Sequence, residues 1–171
     1  MADTSRDSPV RQWWLEGQLA GAVSTVVLLW RGWAEARAPL GAVNAPSHWV
    51  WGREALRRNR ADGRHTVLGL LIHQASSLFW ALAYRALMRG WGAPTPARAV
   101  GGALAVGAMA AVVDLKLVPQ RLTPGFERRL SGRSLMLVYL AFAAGLALGG
   151  ASARRRGPGA CSAQAQPDRR R

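Results

Sequence analysis

Hydrophobic positions in this chain gather into four blocks, and the charged residues crowd between them. The cleanest block is 66–88. From Thr66 to Tyr84 it holds no Asp, Glu, Lys or Arg across nineteen residues. A helix rising about 1.5 Å per residue needs about that many to cross a hydrocarbon layer about 30 Å thick. The other blocks are 19–30, extendable to 17–36, then 97–118 and 134–153. A soluble helical domain mixes charge into each helix at the 3.6-residue period, and that mixing is largely missing here. The pattern predicts an all-α polytopic membrane protein with four transmembrane helices in an antiparallel bundle, at about 17–36, 66–88, 97–118 and 134–153. Residues 17–153 read as one membrane domain. A polar N-terminus, 1–16, precedes it, and a basic, disordered tail, 154–171, follows.

The junctions refine this picture. Trp13 and Trp14 suit a headgroup-level anchor ahead of the first span. Arg31 and Glu35, four apart, have the spacing of a helical ion pair. A cleaved signal peptide is the rival for this block, with Ala34-Glu35-Ala36 as its cleavage site. Trp30, Arg31 and Trp33 make a poor cleavage region and favour a retained helix. Two long connections, 37–65 and 120–132, are expected to carry short interfacial helices. In the first, Asn44-Ala45-Pro46-Ser47 is a helix-start signal. It opens a run in which His48, Trp49, Trp51 and Arg53 form a candidate interfacial site; a solvated basic loop is the plainer reading. In the second, Thr123 is expected to cap a helix begun by Pro124, with Glu127 in its first turn. The turn 90–96 makes the second and third spans antiparallel neighbours.

Charge then narrows the class. The chain has 171 residues and a formal net charge of +14, from 23 Lys and Arg against 9 Asp and Glu. Such a balance fits either nucleic acid or a bilayer with anionic headgroups. The apolar blocks decide for the bilayer and against nucleic acid. Lysine and arginine do not orient the bundle: the two sides carry eleven each. Cys161 is the single cysteine, so no disulfide or multi-cysteine metal site forms within the chain.

Polar residues inside the blocks are the candidate chemistry, because they are costly in lipid unless partnered. Glu35, His73, Gln74 and Asp114 form a candidate intramembrane site, and a cluster of Glu35, His73 and Asp114 would make a polar pathway. Each has a plainer reading. His73 can be bonded across helices, Asp114 can pair with Lys116 or a loop arginine, and Glu35 can pair with Arg31. Bis-histidine haem needs a second deep histidine, and His48 and His65 fall in or beside the first connection, so no cofactor or metal is called. Ser76 and Ser77 are expected to bond back to carbonyls one turn earlier. Gly101 and Gly107 in the third block, and Ala141, Gly145 and Gly149 in the fourth, are small residues suited to close helix packing.

The strings Asn44-Ala-Pro-Ser-His-Trp49 and Val118-Pro-Gln-Arg-Leu-Thr-Pro-Gly-Phe-Glu127 resemble those of small bacterial four-span inner-membrane proteins with no assigned activity. The resemblance covers about residues 15–150 of this sequence. It implies the four-span architecture and a bacterial plasma membrane, and it carries no catalytic residue. The leading functional expectation is a non-enzymatic accessory or interaction protein that pairs, with itself as a homo-oligomer or with others, through its small-residue faces. A small proton-coupled transporter or channel using Glu35, His73 and Asp114 is the alternative. A membrane-embedded enzyme using His73 or His48 is the third.

Overall fold

The structure, a computed structural model, describes residues 9–91 and 95–155. Arg6, the centre of the 90–96 turn and the tail from Arg156 onward, with Cys161, lie outside the described residues. Among the described residues every regular element is helical. Helix α1 is Pro9–Ala36, α2 Pro39–Asn44, α3 His48–Trp51, α4 Leu68–Gly90, α5 Pro96–Val112 and α6 Gly132–Arg155. Wider helical turns extend two of them, so continuous helix runs over Gly63–Gly90 and Pro96–Leu117. These two and Gly132–Ser152 are three helices long and apolar enough to cross a membrane.

The four long helices close a ring in which α1 packs on α4 and α6, and α5 packs on the same two. Chain direction alternates around it. The α1–α6 seam is the tightest. A Cβ on Gly145 would lie 2.5 Å from the Ala20 Cα, and one on Gly149 would lie 2.6 Å from the Glu16 Cα. Only glycine admits backbone that close, which is how helices gain packing contact in lipid. Gly107 faces Ala143 and the Tyr139 carbonyl on the α5–α6 seam. Gly101 does not serve packing as expected. Its Cβ position meets nothing within 4 Å, because Ala99, Gly102, Ala103 and Val106 form the buried stripe of α5 and turn Gly101 outward.

Three boundaries differ from the sequence pattern. Helix α1 starts at Pro9 rather than 17, since Trp13 and Glu16 reach its neighbours: the Trp13 indole donates to the Leu78 carbonyl at 2.8 Å, and Glu16 is 3.5 Å from Arg85. Helix α6 runs on to Arg155. Thr123 caps nothing. It donates to Glu127 Oε1 at 2.7 Å, and the short turn Phe126–Arg128 starts instead from Gly125, whose φ of +84° favours glycine.

Both long connections lie at the same end of the bundle and lock together as a cap. The Trp49 indole donates to the Thr123 carbonyl at 2.8 Å. Arg129 donates to the Leu56 carbonyl and to Asn59. Asn44, fully buried, donates to the Arg58 and Arg60 carbonyls, each at 3.1 Å, and accepts from Thr66 at 2.7 Å. Beneath them Leu28, Val43, Phe126 and Val138 form a buried apolar floor.

Candidate functional site

Below the cap, α4 and α5 are in contact at the far end, where Tyr84 and Met88 meet Gly102, and leave a cavity at the capped end. Its volume is about 460 Å³, within the range that holds a drug-sized molecule. Ile72, His73, Ser76 and Trp80 of α4 form one wall, with Ala110, Val113 and Asp114 opposite. Val138, Tyr139 and Phe142 of α6 and Ser24 of α1 form the back, and Pro46, Trp49, Pro124 and Phe126 of the cap close the top. On the outer side Ala75, Phe79 and Leu122, which also line it, are exposed, so it opens sideways out of the bundle.

Two of the three residues expected to form a polar pathway meet here, and the third does not. His73 and Asp114 line the same cavity. Glu35 sits at the outer end of α1. It pairs with Arg31 at 2.9 Å and accepts from the Ser131 amide at 2.8 Å, the Ser131 hydroxyl at 2.7 Å and the Ser134 hydroxyl. A carboxylate there answers the unpaired amides and positive dipole end of α6. Glu35 is therefore a clamp between helix ends, and the three-residue cluster is not formed. Gln74 is also a clamp, donating to the Gly17 carbonyl at 3.0 Å.

His73 Nε2 lies 2.9 Å from Ser24 Oγ, and the Gly21 carbonyl faces the same ring. Ser24 Oγ also lies 2.7 Å from the Ala20 carbonyl, as is usual for serine within a helix. The Ser24–His73 pair anchors α1 to α4. Ser77 donates back to the His73 carbonyl at 2.9 Å.

Asp114 accepts from the Tyr139 hydroxyl at 3.2 Å, and the Trp80 indole faces it as well. Neither Lys116 nor a loop arginine reaches it among the described residues. The charged group that acts on Asp114 through space is Glu127, another carboxylate.

The expected interfacial residues of the first connection divide. Trp49 lines the cavity. His48 is buried, with Nδ1 2.9 Å from the Ala45 carbonyl and Nε2 unpartnered. Trp51 carries the Arg64 guanidinium 3.5 Å above its ring, a stacked cation–π contact. Arg53 is exposed. No group of three or more His, Cys, Asp or Glu able to hold a metal occurs among the described residues.

The chain matches no protein-family model, no curated protein and no solved structure. The cavity is thus interpreted on its own chemistry. Tyr139, Ser24 and Phe126 carried no periodic signal of function in the sequence, whereas Trp80, seven positions after His73, shares its helical face. Each is an ordinary buried residue of its own segment, and only the α4–α5–α6 junction makes them neighbours. His73 and Asp114, polar residues inside apolar blocks, were the signals that pointed at this place.

Proposed function

We propose that the protein is a four-span integral protein of the bacterial plasma membrane that binds a small lipid-soluble molecule in the sideways-open cavity between α4 and α5, without chemistry of its own. The fourth span is α1. At about 1.5 Å per residue it is long enough to cross the bilayer, and it presents Val26, Trp30 and Trp33 to the outside. Large apolar side chains are exposed on the other three as well, among them Leu71, Phe79, Leu104, Met109, Leu140 and Leu148. Such a surface needs lipid around it. The cap's arginines then lie at headgroup level against anionic lipid.

One observation carries the binding reading: an apolar cavity of ligand size opens toward the lipid-facing surface and holds a few convergent polar groups. The cap closes it at one end of the bundle, so the route in is lateral, from the bilayer. Partner docking through the Ala141, Gly145 and Gly149 ladder has less support. Gly145 and Gly149 are already covered by α1, and the half-buried Ala141 alone makes no stripe.

The test is binding of a neutral fluorescent amphiphile to the full chain in lipid nanodiscs. Ser76→Trp, which fills the cavity from its wall, is expected to abolish saturable binding while Gly101→Ala leaves it intact. Unchanged binding in Ser76→Trp would refute the cavity as the site.

A further inference from the structure

We infer that the cavity selects a lipophilic organic cation, an ammonium group carrying an apolar tail; this rests on the lateral-cavity reading above and names its ligand class. The first observation is one of charge. The chain holds 23 Lys and Arg, yet among the described residues none lines the cavity, whose ionisable side chains are His73, Asp114 and the Tyr139 phenol. Among the described residues Asp114 faces neutral donors, Tyr139 at 3.2 Å and the Trp80 indole. Two neutral hydrogen bonds orient a carboxylate without balancing its charge, and a carboxylate removed from water calls for a cation. Glu127, the nearby carboxylate, adds to the negative potential; its salt bridge to Arg128 is a long 3.8 Å.

The second observation is the walls. Trp49, Phe79, Trp80, Phe126, Tyr139 and Phe142 all line the cavity. Aromatic faces attract ammonium groups and do so most strongly where water is excluded. The third is the sense of the remaining polar groups. Asp114 keeps acceptor capacity beyond its two donors. A carboxylate in that position repels a carboxylate or phosphate headgroup and accepts an N–H or cationic one. The apolar tail leaves through the side opening past Ala75 and Phe79.

The test uses the full chain in nanodiscs of neutral lipid and three probes with the same fluorescent alkyl tail, ending in trimethylammonium, hydroxyl or carboxylate. The trimethylammonium probe is expected to bind tighter than the hydroxyl probe by on the order of tenfold or more, the usual scale for a desolvated charge partner, with the carboxylate probe weakest. Asp114→Asn should erase the cation's advantage over the hydroxyl probe, and a chromatographic profile and helical circular dichroism matching the parent's show that the variant is folded. Equal affinities in the unsubstituted protein, or a cation preference that survives Asp114→Asn, overturns the inference. If Ser76→Trp abolishes all three while no charge preference exists, the cavity stands and the cation falls. If Ser76→Trp alters nothing, or no probe binds saturably, both fall.

Discussion

Two seams of one bundle are built from similar residues and behave oppositely. Between α1 and α6, Gly145 and Gly149 bring backbone against backbone at Ala20 and Glu16, and Arg31, Glu35, Ser131 and Ser134 lock the other end. Between α4 and α5 the helices meet around Tyr84, Met88 and Gly102 and leave a cavity toward the capped end. Helix α5 is as rich in glycine and alanine as α6. What separates them is the phase of the small residues against the bulky ones. On α6 the small stripe meets the α1 backbone directly, Gly145 against Leu19 and Ala20 and Gly149 against Glu16, while Gly17 and Gly21 of α1 face Leu78 and Gln74 of α4. Across the α4–α5 seam the small residues of α5 meet Trp80, Tyr84 and Met88. Composition makes both seams apolar; register makes one a zipper and the other a pocket.

The largest effect expected from breaking this contrast is at position 145. Gly145→Leu drives a side chain into the Ala20 backbone, which cannot yield as a flexible side chain would. Overpacking of that kind costs about 3 kcal/mol, enough to replace the monodisperse peak by aggregate in detergent chromatography. Gly101→Leu, the same change at an outward position, should shift thermal stability by less than about 0.5 kcal/mol. Comparable losses at both positions would erase the difference between the seams.

Next is the cap that roofs the open seam. Asn44→Ala strands the Arg58 and Arg60 carbonyls and the Thr66 hydroxyl, at a cost of about 2 kcal/mol for buried polar groups left unpaired. Hydrogen exchange should rise through the first connection and in Trp49, and leave α1 and α6 protected. Uniform exchange across the chain would mean that cap and zipper unfold as one unit.

Much of this was legible in the sequence, and the failures have physical causes. Helix existence followed from apolar run length: of the four expected spans, 66–88, 97–118 and 134–153 coincide within a few residues with the three membrane-capable helices, while the first, 17–36, falls inside the longer helix α1. Gly145 was recognisable from its four-residue ladder with Ala141 and Gly149. Gly101 misled because the ladder through a helix rich in small residues has several phases, and only neighbours choose among them. Asp114 and His73 stood out as polar groups in apolar blocks, but their shared cavity depends on which helices adjoin. Glu35 looked equally intramembrane; its partners Ser131 and Ser134 lie about a hundred positions away and gave no local sign. The α1 small stripe, Gly17, Ala20, Gly21 and Ser24, went unread because Trp30, Arg31 and the short apolar centre drew the interpretation toward helix ends.

The smallest effect concerns pH at the cap. The His65 ring and the Arg64 amide hold the Asp62 carboxyl below its ordinary range. A lowered folded-state value adds stability that is present above the ordinary carboxylate range near 4 and is lost as pH falls through the folded value. Asp62→Asn should therefore lower the melting temperature slightly at pH 7, and the gap to the parent should close as pH drops below about 4. A gap independent of pH would assign the effect to lost geometry rather than to charge.

The central claim is that the mouth of the α4–α5 seam faces lipid. It is tested most directly by a nitroxide at position 79, placed by Phe79→Cys in a Cys161→Ser background and reconstituted in liposomes. Collision with oxygen, which concentrates in the hydrocarbon, should far exceed collision with a water-soluble nickel chelate. The reverse ranking would put that mouth in water and contradict both the membrane bundle and the ligand route built on it.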